Sequence, residues 1–212
     1  MAALKVTTWH LEMAAPAQLL PPSRAVRGLE VREEMPGDRA LVRRFYLAVG
    51  ENYRWVDRRS WSAEQWSAWA AGTALTILVA TLDGREAGFA VLDVQPGGEV
   101  EMAYFGLLEE FIGRGIGSAF LFETTRRAWA LGARRVRLHT CSLDHPSALP
   151  GYRARGFKVY EVTEEERTDD DAVRARWSSS ASGAARRGAE CAAASTKGGA
   201  RCGSTGTRSL TA

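Results

Sequence analysis

The sequence has no apolar run long enough to cross a membrane. A membrane-spanning helix needs about 20 mostly apolar residues, and no uninterrupted apolar stretch of this chain approaches that length. The N-terminus, which starts Met-Ala-Ala-Leu-Lys, also lacks the basic region and apolar stretch of a secretory signal. These absences predict a soluble, cytoplasmic protein with no membrane partner.

Cysteine and net charge are also scarce. The three cysteines, Cys141, Cys191 and Cys202, form no Cys-x-x-Cys pair, which predicts a reducing compartment and no metal site. The 28 basic and 25 acidic residues leave a formal charge of +3, and the two signs alternate through most of the chain. A dedicated nucleic-acid role is therefore not favoured, and only the arginines of the C-terminal segment suggest one.

What the chain does have is the length and the periodicity of one α/β domain. Its 212 residues, 45% of them hydrophobic, suffice for a single core. Period-two patterns predict consecutive antiparallel strands over 75–82, 86–94 and 99–107, after which come a long helix and a strand over 136–140. The last strand–helix–strand unit predicts a right-handed crossover with two parallel strands. We therefore expect a mixed, mostly antiparallel, twisted sheet flanked by helices.

Three regions are predicted along the chain. Residues 1–28 are expected to form an irregular N-terminal arm, because the string TWHLEM mixes β-forming and polar residues and is followed by a Pro- and Ala-containing stretch. Residues 29–165 form the predicted domain, with a first strand over 29–33. Residues 166–212 consist largely of Ala, Gly, Ser, Thr and Arg, a composition that predicts a disordered tail.

A glycine-rich turn precedes the long helix and carries the clearest functional signal. Gly113, Gly115 and Gly117 alternate in the string GRGIGS. At a helix N-terminus several N–H groups lack partners, and the helix dipole adds to their attraction for a phosphate. A Walker A loop is excluded because no Lys precedes Ser118, and the spacing fits a Rossmann fingerprint poorly. On the glycines alone, a tight turn with no ligand stays open.

This turn resembles the coenzyme A motif [Q/R]-x-x-G-x-[G/A] of the GNAT (GCN5-related) N-acetyltransferases, and the chain is identified with an uncharacterised bacterial subgroup of that family. Gly115 and Gly117 match the two small positions, whereas Ile112 stands where Gln or Arg is usual. The resemblance implies a pyrophosphate site made by the residues of this turn, which are Gly113, Arg114, Gly115, Ile116, Gly117 and Ser118.

A second resemblance lies downstream, in the string HPSALPGYRARGF. It is similar to the family segment N-x-x-A-x-x-L-Y-x-x-x-G-F, with Ala148, Tyr152, Gly156 and Phe157 in register. His145 replaces the usual Asn and Gly151 replaces a large apolar residue. This resemblance implies that His145, Ala148 and Tyr152 contact the coenzyme, and that Tyr152 protonates the departing thiolate.

The family resemblance also implies a splayed central strand and a reaction. Phe105, Gly106 and Leu107, at the end of the 99–107 strand, are expected to pair with the pantetheine amides. Glu99 and Glu101 lie two apart on that strand and therefore on one face. Glu101 matches the usual position of a catalytic or water-positioning carboxylate, and we favour it over Glu99 as the base.

The predicted function is transfer of an acetyl group from acetyl-coenzyme A to a primary amine, by direct attack in a ternary complex. The alternative is a non-catalytic module that binds an acyl-coenzyme A. Trp55 and Asp57 lie in an indole-rich stretch that could bind a cationic amine, although a cluster that caps a helix is as good a reading. The identity of the acceptor amine stays open, and it could be a small molecule or a peptide. Whether the protein forms a homodimer is also open.

Overall fold

This computed structural model describes residues 4–34, 38–53, 55–71 and 74–167. They contain seven strands and four α-helices, joined by turns and loops. The strands are β1 (Leu4–Met13), β2 (Leu29–Glu34), β3 (Ala74–Leu82), β4 (Arg85–Gln95), β5 (Glu99–Leu107), β6 (Arg135–Cys141) and β7 (Lys158–Arg167). The helices are α1 (Arg39–Gly50), α2 (Ala63–Ala71), α3 (Ile116–Ala130) and α4 (Ala148–Ala154). None of these helices is long and apolar enough to span a bilayer.

The strands form one mixed sheet in the order β2-β3-β4-β5-β6-β1-β7. Neighbouring strands are antiparallel except β5 and β6, which are parallel. The parallel pair is the one joined through α3, as expected of a crossover connection. The predicted α/β fold and its mixed, mostly antiparallel sheet are therefore confirmed.

Local sequence signals fix where the first two helices begin. The Asp38 carboxylate accepts a hydrogen bond from the Leu41 N–H at 3.0 Å, which caps α1. At α2, the Ser62 hydroxyl accepts from the Gln65 N–H at 3.3 Å, and the Gln65 side chain accepts from the Ser62 N–H at 2.8 Å. This reciprocal pair is a capping box, which satisfies two N–H groups that the helix leaves without partners.

The prediction of an irregular N-terminal arm is wrong for residues 4–13. These residues form β1, which pairs with β6 on one side and β7 on the other. Leu11 and Met13 are fully buried in the core, whereas Glu12, which lies between them in the strand, faces the other side of the sheet. From Thr8 onward the polar residues Thr8, His10 and Glu12 alternate with Trp9, Leu11 and Met13, which pack in or against the core, so the string is a strand with one mainly apolar face.

The C-terminal boundary also differs from the prediction. Strand β7 continues to Arg167, so the first two residues of the predicted tail belong to the sheet. Strand β7 lies at the edge of the sheet, and its exposed stretch of glutamates suits that position, because charge discourages pairing with another chain. The remainder of the predicted disordered tail, residues 168–212, lies outside the described residues.

Helices pack on both faces of the sheet. On one face, called the α3/α4 face, these two helices cover a core that includes Leu78, Leu92, Phe120 and Leu138. On the other, called the α1/α2 face, the first two helices cover a second core rich in aromatic rings. Phe45 and Phe89 stack there with their ring centroids 5.2 Å apart.

We predict that Leu11→Ala destabilises the protein by about 2–5 kcal/mol, because Leu11 is fully buried in β1 and its truncation leaves a cavity in the core. Leu4→Ala is the matched control in the same strand, since Leu4 is 39% exposed, and we expect it to cost less than about 1 kcal/mol. Urea unfolding followed by circular dichroism measures both. Equal effects of the two variants would contradict the placement of β1 in the sheet.

Candidate functional site

A gap opens in the sheet where β5 separates from β6. The two strands pair only at Glu99, Val100 and Glu101, the last opposite Arg137. Beyond this point β5 continues to Leu107 and β6 to Cys141 without pairing to each other, although both strands are fully described. The expected splayed strand is thus present. Backbone groups of β5 that face the gap lack a neighbouring strand and are available to hydrogen-bond a ligand.

A β-bulge in β5 decides which side chains flank this gap. Val91 pairs with Tyr104 and Leu92 with Met102, so Ala103 is an extra residue. Met102 packs in the core beneath α3 and α4, but Tyr104 packs on the α1/α2 face. The bulge therefore places Tyr104 on the same face as Glu101 and turns the residue after it toward α3.

The glycine turn lies next to the end of β5. Gly113 and Gly115 have φ of +79° and +80°, left-handed values that favour glycine. A Cβ at Gly117 would stand 3.5 Å from the Leu107 side chain, so the turn and the strand end adjoin. Gly115 is the N-cap residue of α3 and no side chain caps this helix. The N–H groups of Ile116, Gly117 and Ser118 accordingly need partners.

This turn has the shape of an anion-binding nest. A Cβ at Gly113 would meet no atom within 4 Å, so the turn is open on that side. The exposed Arg114 places its guanidinium 5.3 Å from the Phe111 ring, within reach of the same opening. Successive amides with left-handed residues between them and a positive helix end together favour a phosphate. The residues present therefore fit a pyrophosphate.

The second motif meets the end of β5 through aromatic contacts. Phe105 stacks on Phe120 of α3 at 5.0 Å and meets Tyr152 of α4 edge-on at 6.3 Å. Ala148, the first residue of α4, is half-buried. His145 accepts a hydrogen bond at Nδ1 from the Ser147 N–H at 3.1 Å. The structure thus brings both motifs and the β5 terminus together around Phe105.

Tyr152 is held in a position where its hydroxyl stays protonated. Its side chain lies in the α3/α4 core and the residue is only 8% exposed. Burial, and secondarily the negative charge of Asp144, raise the pKa of Tyr152 well above its ordinary value near 10. Asp144 itself closes the loop after β6 by accepting hydrogen bonds from the Thr140 hydroxyl at 2.7 Å and the Cys141 N–H at 2.9 Å.

The two candidate carboxylates lie on one face, as the spacing predicts, but in different surroundings. Glu99 is held between Arg135, which donates at 3.1 Å, and Arg137 at 3.4 Å. Glu101 has Arg137 at 3.5 Å and the His139 Nδ1 at 3.8 Å. Since Glu101 stands on the last rung of the β5–β6 pairing, it lies at the edge of the gap, and Glu99 lies two residues behind it.

The predicted acceptor residues belong to the aromatic cluster on the α1/α2 face. The Trp55 ring lies 5.4 Å from that of Tyr104, and its tip would be 3.7 Å from a Cβ at Gly106. Asp57 accepts a hydrogen bond of 2.7 Å from the Tyr46 hydroxyl. Both residues therefore have a packing role next to the splayed end of β5, and their contact with an acceptor stays a prediction.

Three residues of the site carry little or no signal in the sequence. His139 joins Glu101 only because β5 and β6 are parallel neighbours. Asp144 sits in the string SLDHP, where Asp before a helix is a turn signal that could have revealed it. Arg24 reaches the glycine turn from the segment after β1, 90 residues away in the chain, and no local pattern predicts that contact.

Within the described residues, no group of His, Cys, Asp and Glu could hold a metal ion.

Comparison with known proteins agrees with this geometry. The family model described as the acetyltransferase (GNAT) family matches residues 41–157, more than half of the chain. No curated protein matches the chain.

Solved structures share the fold at low sequence identity. A GCN5-related N-acetyltransferase from Sphaerobacter thermophilus is 22% identical, with a TM-score of 0.55 over 77% of this chain and 53% of that one. A GCN5-related N-acetyltransferase from Kribbella flavida is 16% identical, with a TM-score of 0.56 over 78% and 59%. A functionally unknown conserved protein from Staphylococcus epidermidis is 17% identical, with a TM-score of 0.53 over 77% and 62%. The chain thus spans between half and two thirds of these proteins.

Proposed function

Because the chain belongs to the GNAT acetyltransferase family, we propose that it transfers an acetyl group from acetyl-coenzyme A to a primary amine, by direct attack in a ternary complex. One observation carries the proposal above the others: the splayed end of β5 adjoins an uncapped, glycine-lined helix N-terminus. A phosphate nest and a row of unpaired strand amides side by side suit a ligand that has both a pyrophosphate and amide groups.

The donor site is assigned to the residues around this junction. Backbone N–H groups from Gly113 to Ser118, together with Arg114, would hold the pyrophosphate. The β5 backbone from Phe105 to Leu107 would pair with the pantetheine amides, and His145 and Ala148 would line the opposite side. Acetyl-coenzyme A supplies an acetyl group already activated as a thioester, so the protein needs no nucleophile of its own.

Glu101 is the proposed base. The attacking amine must lose a proton as its nitrogen bonds to the acetyl carbon, and the Glu101 carboxylate stands at the edge of the gap where that nitrogen would lie. His139, with its Nδ1 3.8 Å from Glu101, is positioned to receive the proton from the carboxylate or through a water. Arg137 lies 3.5 Å from the same carboxylate and forms an ion pair with it.

Tyr152 is the proposed acid. As the carbon–sulfur bond breaks, the thiolate takes up a proton, and a thiol has an ordinary pKa near 8.5. Tyr152 approaches the gap from the α3/α4 face through its contact with Phe105. Because its pKa is raised, the hydroxyl still carries its proton throughout the neutral range.

A binding and thiol-release experiment tests the proposed function. We expect calorimetry to show stoichiometric binding of acetyl-coenzyme A, and a thiol-reactive dye to show amine-dependent release of coenzyme A across a panel of primary amines. Gly117→Glu should abolish binding, since it places a carboxylate in the nest, whereas Gly117→Ala should bind nearly as the wild type because its Cβ meets only an ordinary contact.

The outcomes separate three readings. A folded wild-type protein that does not bind acetyl-coenzyme A would refute the proposal. Binding without thiol release for any amine would instead favour the non-catalytic module, which the departures at Ile112, His145 and Gly151 motivate. Equal loss of binding in Gly117→Ala and Gly117→Glu would show that the turn is sensitive to bulk and not to charge.

The two carboxylates give a matched pair of variants. We predict that Glu101→Gln lowers kcat by about 100-fold, because it removes the base at the gap, and that Glu99→Gln lowers it by less than about fivefold. Steady-state kinetics from pH 6 to 9 measure both, and acetyl-coenzyme A affinity should stay unchanged in each. A larger loss for Glu99→Gln than for Glu101→Gln would reassign the base.

For Tyr152→Phe we predict a fall in kcat of about 100-fold with an unchanged dissociation constant for acetyl-coenzyme A. The sign of the pKa shift adds a second expectation. Since a raised pKa means that the proton is lost only as pH rises beyond 10, the ratio of wild-type to variant kcat should be constant from pH 6 to 9. A ratio that declines above pH 8 would contradict an acid with a raised pKa.

A further inference from the structure

The guanidinium of Arg24 lies directly over the glycine turn. A Cβ built at Gly115 would collide with the Arg24 Nη2 and would stand only 3.1 Å from Nε and 3.2 Å from Cζ. Nη2 also donates a long hydrogen bond of 3.5 Å to the Arg114 carbonyl. Gly115 is therefore favoured for its left-handed backbone, and a side chain there would displace the Arg24 guanidinium.

Contacts on both sides of Arg24 hold its segment in this place. Before it, the Leu20 N–H donates to the Arg155 carbonyl at 3.1 Å, which ties the segment to the end of α4. After it, Val26 packs against the small core that contains Phe111 and Ile116, the residues flanking the turn. The segment thus runs from α4 to the start of α3, and Arg24 projects between two anchored points.

Within the part of the chain that the structure describes, the charge of Arg24 has no partner of opposite sign. No carboxylate there forms an ion pair with it, and the two glutamates of the 109–111 turn, which precedes the glycine turn in the chain, have other partners. Glu110 pairs with Arg85 at 2.6 Å, and Glu109 accepts from the Asn52 side chain at 3.2 Å. An exposed arginine fixed over a nest of N–H donors, with only a weak bond to a carbonyl, is poised for an anion.

We propose that Arg24 binds the pyrophosphate of the coenzyme at this turn, and so supplies from the N-terminal segment the side-chain contact that Ile112 cannot make. The inference rests on the proposed function, since it names a further ligand for the same site. A guanidinium offers two parallel N–H groups to a phosphate. Its long, exposed stem lets it lift from Gly115 as the phosphate enters while keeping those donors on the anion.

Calorimetry with acetyl-coenzyme A on four proteins tests the assignment. We expect Arg24→Ala to raise the dissociation constant about tenfold, in line with the loss of a charge-assisted contact, and Arg24→Lys to raise it about threefold because charge is kept and the bidentate fork is lost. Arg27→Ala is the matched control: Arg27 is an exposed arginine of the same segment, and we expect it to bind as the wild type. Thermal unfolding should be unchanged in all three variants.

A second ligand identifies the phosphate. 3′-Dephospho-coenzyme A keeps the pyrophosphate and lacks the ribose phosphate, so the tenfold effect of Arg24→Ala should persist with it. Loss of the effect with this ligand would overturn the assignment to the pyrophosphate.

Three other results would overturn the inference. Equal affinity of wild type and Arg24→Ala would do so and leave the proposed function intact. Tighter binding by Arg24→Ala would show that Arg24 blocks the nest. Absence of acetyl-coenzyme A binding by the folded wild type would remove the inference together with the proposed function.

Discussion

The early end of the pairing between β5 and β6 is the constraint on which the candidate site depends. A strand that leaves its neighbour exposes backbone N–H and C=O groups, which is costly unless water or a ligand satisfies them. Here the separation is fixed by packing, because Phe105 lies between Phe120 of α3 and Tyr152 of α4. The same ring contacts therefore bring both helices to the gap. A gap suited to an extended, amide-containing ligand therefore follows from how the core is packed.

The N-terminal segment keeps the far side of this gap rigid. Beyond Arg137 the edge of β6 that faces the gap pairs with no described strand. On its other edge, β6 pairs with β1 over six positions, from Met13 opposite Val136 to Thr8 opposite Cys141. Strand β1 is itself held by β7 on its other side. The same segment then continues along α4 and reaches the glycine turn with Arg24. One stretch of chain thus pairs with one wall of the gap and places a positive charge at the glycine turn.

Sequence reasoning found the features that local pattern encodes. The consecutive antiparallel strands, the crossover through α3 and the glycine turn follow from periodicity and turn residues, and the structure has all three. The sequence did not predict the features that depend on pairing between residues far apart in the chain. The residues of β1 were predicted to be irregular because their string mixes β-forming and polar residues, and no local pattern predicts that this string pairs with β6 on one side and β7 on the other. The contacts of Arg24 with the glycine turn and of His139 with Glu101 were not predicted for the same reason, since each residue meets its partner only after the sheet has formed.

The sheet also separates the two halves of the proposed chemistry. Tyr152 approaches from the α3/α4 face, and Glu101 with His139 stands on the opposite face, because neighbouring β5 residues alternate and the bulge at Ala103 lies beyond Glu101. An intact sheet would keep an acid and a base so placed apart by a layer of backbone. At the gap that layer is missing, so the proposed acid and base would face one reacting centre from opposite sides. Proton removal from the amine and proton delivery to sulfur then need no shared residue, which fits a direct transfer in one ternary complex.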